Sequence, residues 1–145
     1  MTDNGTNSAA DAAAAPIDSL EGIAIMASLT VNDVQRGVDW YCDVLGFKVD
    51  QRMEHEGVLR AVSLKAGAVR ILLNQDNGAK GLNRVKGEGF SLQLTTAQSI
   101  DGIAQRIRNA GGTLDTEPAD MPWGARVFRV TDPDGFHWAI STERK

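Results

Sequence analysis

The chain has 145 residues, 42% of them hydrophobic and 23% charged, which suits one domain, or two small modules, with an ordinary buried core. A formal charge of −4, a pI near 5.1 and the absence of any Lys/Arg cluster argue against nucleic acid or an anionic membrane as partner. Cys42 is the single cysteine, so an internal disulfide and a cysteine-rich zinc site are excluded; together with an N-terminus that lacks a basic region and an h-region, this makes a cytoplasmic location the expectation.

Residues 1–21 are Ala, Asn, Ser, Asp and Gly without apolar periodicity, and read as a flexible tail. The folded part, residues 22–145, opens with a strand over Gly22–Val31, where Ala27, Leu29 and Val31 alternate with Met26, Ser28 and Thr30. Asn32 or Asp33 caps a helix whose apolar stripe is Val34, Val38, Tyr41, Cys42 and Leu45, and Gly46 ends it. Short strands follow around Phe47–Gln51, Leu59–Leu64 and Val69–Gln75, separated by turn signals at Glu56-Gly57 and Ala66-Gly67.

A glycine- and charge-rich linker over 77–88 separates this first module, 22–76, from a second, 89–145. The second repeats the first. Phe90–Thr95 alternates as a strand, Ile100, Ile103, Ala104 and Ile107 make a helical stripe stopped by Gly111-Gly112, and strands follow around Thr113–Glu117, Ala125–Val130 and His137–Ser141. Asp132-Pro133-Asp134-Gly135 carries Pro and Gly where a type I turn places them. Corresponding landmarks recur about 65 residues apart, a module-sized repeat. The expected fold is therefore α+β, two tandem βαβββ modules whose curved mixed sheets form a cleft.

Stepping by two along each strand divides its residues between a helix-facing core, with Leu29, Ile71, Leu92 and Trp138, and an opposite wall. That wall carries Met26, Ser28 and Thr30, then Arg70, Leu72 and Asn74, then Gly89, Ser91 and Gln93, then His137, Ala139 and Ser141. Hydroxyls, amides, an Arg and a His can hydrogen-bond an organic ligand but supply no carboxylate for an acid/base pair. As polar groups on an inner wall they are expected to lack water unless the cleft is wet or filled. His137 is the one catalytic candidate, a lone imidazole without a carboxylate to orient it; His55 belongs to an exposed hairpin tip. Trp123, between Pro122 and Gly124 in a loop, either stacks on a planar ligand or packs over the sheet edge. Arg70 and Arg129 are charges at internal strand positions, answered by an anionic ligand, by a local carboxylate such as Asp50, or simply by water at an open cleft. Trp40, Tyr41, Cys42 and Trp138 read as core.

Four segments in this order resemble the vicinal oxygen chelate superfamily, which holds glyoxalases, bleomycin-resistance proteins and extradiol dioxygenases: Leu29–Asp33, Trp40–Phe47, Met121–Gly124 and Asp132–Phe136. The resemblance covers Ile25 to Ser141 and implies the paired βαβββ fold, but no single chemistry. In metal-dependent members four wall positions carry His, Glu or Gln; here they fall on Met26, Leu72, Gly89 and Ala139, none of which offers an anionic oxygen or an imidazole. The resemblance thus implies a binder without metal or other cofactor, holding an organic, aromatic or antibiotic-like ligand against Met26, Ser28, Arg70, Asn74, Ser91, Gln93, Trp123, Arg129 and His137. The alternatives are an enzyme of the same scaffold (a lyase, isomerase or dioxygenase-like protein) using His137 without metal, or metal ligands at other positions, and an interaction protein with a vestigial cleft. A homodimer is expected because small curved sheets leave edges to be covered.

Overall fold

Residues 15–143 are described by a computed structural model, so positions 1–14 of the expected tail and the last two residues lie outside it. Two four-stranded mixed sheets carry the chain. The first is built from β1 (Ala27–Val31), β2 (Lys48–His55), β3 (Val58–Ala66) and β4 (Val69–Gln75) in the order β1-β4-β3-β2. The second, from β5 (Leu92–Thr95), β6 (Thr116–Asp120), β7 (Arg126–Thr131) and β8 (His137–Ser141), has the same order, β5-β8-β7-β6. In each sheet the first strand pairs parallel with the last and the other pairs are antiparallel, so the duplication read from the sequence is a duplication of topology. Among the described residues, no helix is long and apolar enough to cross a membrane.

Helix α1 (Val34–Trp40) starts where Asp33, in extended backbone, accepts the amide of Arg36 at 3.1 Å. The stripe then continues through a π-helical turn, Tyr41–Leu45, which ends at Gly46 with φ +95°. One extra residue per turn carries Tyr41 fully into the core, while Cys42 and Leu45 stay partly exposed. Helix α2 (Ile100–Asn109) is capped by Ser99, buries Ile100, Ala104 and Ile107, and stops before Gly111.

The helix-facing residues of both sheets and of both helices form one core. It runs from Leu29, Leu64 and Leu73 in the first module to Phe128, Trp138 and Ile140 in the second. At its centre the Trp138 indole N–H donates to the Tyr41 hydroxyl at 2.9 Å, and that hydroxyl donates to Asp132 Oδ2 at 2.6 Å. The other oxygen of Asp132 accepts the amides of Asp134 and Phe136, each at 2.9 Å, inside the β7–β8 turn. Burial and the neighbouring Asp132 push the Tyr41 phenol far above its usual range, and burial pushes the Asp132 carboxyl up as well.

The linker folds back on the body. Asp76 is buried and takes Lys86 Nζ at 2.8 Å, Arg84 Nη2 at 2.9 Å and the Gly78 amide at 2.8 Å. The Lys86 contact, then the Gly78 amide, then Arg84 hold its carboxyl well below the usual carboxylate range. Gly87, at φ +77°, lies against the β7–β8 turn so closely that a Cβ there would stand 2.2 Å from the Gly135 carbonyl oxygen.

The structure corrects several expected boundaries. β2 runs on to His55, and β6 covers Thr116–Asp120 where Thr113–Glu117 was expected. Residues 22–26 of the first expected strand form none; β1 starts at Ala27, opposite Ile71, and the chain upstream leaves the sheet. Since β4 begins at Val69, two further residues at most could have found partners there.

Two outcomes follow from these contacts. Tyr41→Phe leaves Asp132 and the Trp138 indole short of a partner in the core, so denaturant unfolding should show a loss of about 1–3 kcal/mol with the fold retained. A carboxyl whose folded pKa is depressed stabilises the fold above its unfolded pKa and loses that contribution as pH falls. Asp76→Asn should therefore flatten the loss of stability on acidification below about pH 4, measured by thermal unfolding across pH.

Candidate functional site

The faces turned away from the core carry the polar wall that the strand alternation predicts. On the first sheet Ser28, Thr30, Arg70, Leu72 and Asn74 share this face; on the second, Gln93, Arg129, Thr131, His137, Ala139 and Ser141 do. Unlike the sequence-based expectation, Ser28, Ser91, Gln93 and His137 are exposed to water. Asp134 Oδ2 is the one buried side-chain polar atom without a hydrogen bond among the described residues, so the wall leaves no polar group stranded.

Edge strands β1 and β5 border one cavity of about 530 Å³. Its lining joins Met26, Arg70 and Gln93 to the apolar side chains of Val69, Leu94 and Trp138, so both modules contribute. Ser28 and Thr30 border a second cavity, of about 310 Å³, with Phe90 and the linker residues Arg84 and Lys86. A slot with apolar walls and a few polar groups at its rim suits a small organic molecule.

The predicted wall residues fall into separate groups. Asn74 Nδ2 donates to Ser28 Oγ at 2.6 Å, fixing both. Arg70 Nη1 donates to Asp50 Oδ2 at 2.5 Å, so its charge is answered locally, one of the alternatives the sequence left open. Arg129 has no ion pair among the described residues. Trp123 sits at the β6–β7 turn, 48% exposed, and with Ser91, Asn74, Arg129 and His137 it borders neither cavity. On the same face of the second sheet, Ala139, Ala125 and Val127 pack under Met121 and close that part of the wall with apolar atoms.

His137 differs from the expectation of an unoriented imidazole. Its Nδ1 lies 2.9 Å from Thr131 Oγ1, and that hydroxyl donates to Asp115 Oδ2 at 2.5 Å. The sequence hides this because Asp115 precedes β6 and comes alongside only through the β6–β7–β8 meander, where its amide donates to the Arg129 carbonyl at 2.8 Å.

The four residues at which the resemblance would place metal ligands are Met26, just before β1, Leu72 on β4, Gly89, three residues before β5, and Ala139 on β8. Thioether, aliphatic and absent side chains do not fit a hard divalent ion. No three His, Cys, Asp or Glu side chains converge to hold a metal among the described residues.

Comparison with known proteins agrees with this fold. The sequence pattern of the Glyoxalase/Bleomycin resistance protein/Dioxygenase superfamily matches residues 22–140. The chain is 28% identical over 123 residues to uncharacterized protein Mb0911c of Mycobacterium bovis, covering 81% of each. It is 25% identical over 112 residues to a probable lactoylglutathione lyase of Synechocystis, covering 74% of this chain and 86% of that one. Among solved structures it is similar to TioX of a Micromonospora species (TM-score 0.66, 24% identity, 83% of this chain and 98% of that one). A superfamily member from Sphaerobacter thermophilus gives TM-score 0.66 and 26% identity with the same coverage.

The three tryptophans report on this layout. Trp123 is exposed, Trp40 half-buried and Trp138 buried beside the β1/β5 slot. Trp123→Phe should remove most of the emission that acrylamide quenches, while Trp138→Phe should leave that fraction nearly unchanged.

Proposed function

The chain belongs to the Glyoxalase/Bleomycin resistance protein/Dioxygenase superfamily, and on that premise we propose that it binds a small organic ligand without metal, along the wall formed by the two modules. The observation that carries the reading is the residue set at the four ligand positions, Met26, Leu72, Gly89 and Ala139. The 530 Å³ slot supports it with a place for an aromatic or otherwise planar body, against Leu94 and Trp138, and with Met26, Arg70 and Gln93 at hand. Ser28, Asn74, Ser91, Arg129 and His137 supply polar contacts along the remaining wall, and Trp123 offers a ring to a larger ligand at its far end. A cytoplasmic binder fits a chain whose one cysteine, Cys42, lies partly buried in a helix stripe. A second reading, an enzyme of the same scaffold, is favoured by the partners of His137 and by the likeness to a probable lactoylglutathione lyase.

The working form in this reading is a homodimer. Ile17, Leu20, Ile23 and Ile25 lie in the segment before β1 and are between 80% and 102% exposed. Met26 and Phe90, beside the wall, are about half exposed. Burying such side chains is worth about 1.5–3 kcal/mol each, so a second copy that covers them is a strong sink for this surface. Light scattering at tens of micromolar should give twice the chain mass, and removal of residues 1–25 should shift it toward the monomer; a monomer for the full chain would contradict this part.

The metal-free reading is tested by elemental analysis of protein purified without chelators. We expect well under one equivalent of Zn, Fe, Mn or Ni per chain and a melting temperature that EDTA does not move. A stoichiometric metal whose removal lowers that temperature would overturn the proposal and favour the enzyme.

A further inference from the structure

The hydrogen bonds around His137 fix more than its orientation. Thr131 has a single hydroxyl proton, and Asp115 Oδ2, 2.5 Å away, can only accept it. With its proton committed there, Thr131 Oγ1 can only accept from His137 Nδ1 at 2.9 Å. The neutral ring then carries its proton on Nδ1 and leaves the Nε2 lone pair free. Asp115 is itself held in place, because its amide donates to the Arg129 carbonyl at 2.8 Å.

The same strand pair places a cation beside this acceptor. Thr131 pairs with His137 and Arg129 with Ala139, so Arg129 and His137 are diagonal neighbours on one face, about 7–8 Å apart at the backbone. Arg129 is exposed and has no ion pair among the described residues, whereas Arg70, the other wall arginine, is taken by Asp50. Arg129 and His137 both reach water beside Ala139, which is itself buried under Met121.

We infer that Arg129 and the Asp115–Thr131–His137 relay form a recognition site for hydroxy acids. The carboxylate of the ligand pairs with the Arg129 guanidinium, and its neighbouring hydroxyl donates to His137 Nε2. This inference rests on the proposed ligand-binding wall and names the chemical class that the second-module half of it selects. An acid without the hydroxyl leaves Nε2 without a donor, and an alcohol or phenol without the carboxylate forgoes the charge-assisted pair.

The relay and the ligand class are tested together by NMR on the full chain at pH 8.5, with mandelate as probe and phenylacetate and benzyl alcohol as controls. Long-range proton–nitrogen correlations of the His137 ring should show the Nδ1–H tautomer, and Thr131→Val should shift it toward Nε2–H. A ring that carries its proton on Nε2 in the unmodified protein would overturn the inference. Mandelate should perturb the amides of β7 and β8 and bind at least several-fold more tightly than phenylacetate or benzyl alcohol. Arg129→Gln should weaken it about tenfold or more, and Thr131→Val should erase the preference over phenylacetate, two effects that a merely structural role would not separate. If mandelate perturbs only the β1/β5 slot around Met26 and Gln93, indifferent to both variants, the hydroxy-acid site falls while the ligand-binding reading stands. If none of the three probes perturbs either region, the inference is again overturned, and the slot must be tested with other ligands.

Discussion

A phenol and a carboxylate, 91 residues apart in sequence, make the contact on which the two-module arrangement depends. Tyr41 comes from the π-turn after α1 and Asp132 from the β7–β8 turn; with the Trp138 indole they form a polar knot inside an otherwise apolar core. Hydrogen bonds in such surroundings are costly to leave unmade, and these tie the π-turn after α1 to the β7–β8 turn and β8 of the second module. Phe47 and Trp40 meet the same ring edge-on, and Phe47 also meets the Trp138 ring. The backbone repeats the message nearby, where the Asn32 amide donates to Asp134 Oδ1 at 2.8 Å. With the core committed to this junction, the other face of each sheet is left for ligand or partner.

That division explains why the two walls differ in chemistry. On the first sheet the polar residues are largely engaged with one another, Asn74 with Ser28 and Arg70 with Asp50. On the second, Arg129 keeps its charge free of any ion pair among the described residues, and His137 is braced from one side only. One scaffold duplicated in one chain thus presents an apolar slot at the junction and a polar surface beside it. The superfamily's common fold does not dictate which chemistry these serve; the side chains at the wall do.

Much of the fold was legible because its signals are local. The Asn32-Asp33 pair announces the first helix, Gly46 and Gly111-Gly112 the stops, and Asp132-Pro133-Asp134-Gly135 closes a turn between two strands. What stayed hidden depends on contacts between distant segments. The π-turn that seats Tyr41 leaves no mark in an apolar stripe, Asp76 looks like linker until Lys86 returns to it, and Asp115 joins His137 only through a third strand. The strand expected from Gly22 starts only at Ala27, because β4 begins at Val69 and offers residues 22–24 no partner.

Amide chemical-shift mapping with a library of small aromatic and polar fragments tests the central claim most directly. The account predicts that hits perturb the wall and slot, at Met26, Ser28, Arg70, Gln93 and the amides of β7 and β8, with no divalent ion added. Perturbations confined to the helix side or the β2–β3 hairpin, or hits that appear only when a divalent ion is supplied, would contradict it.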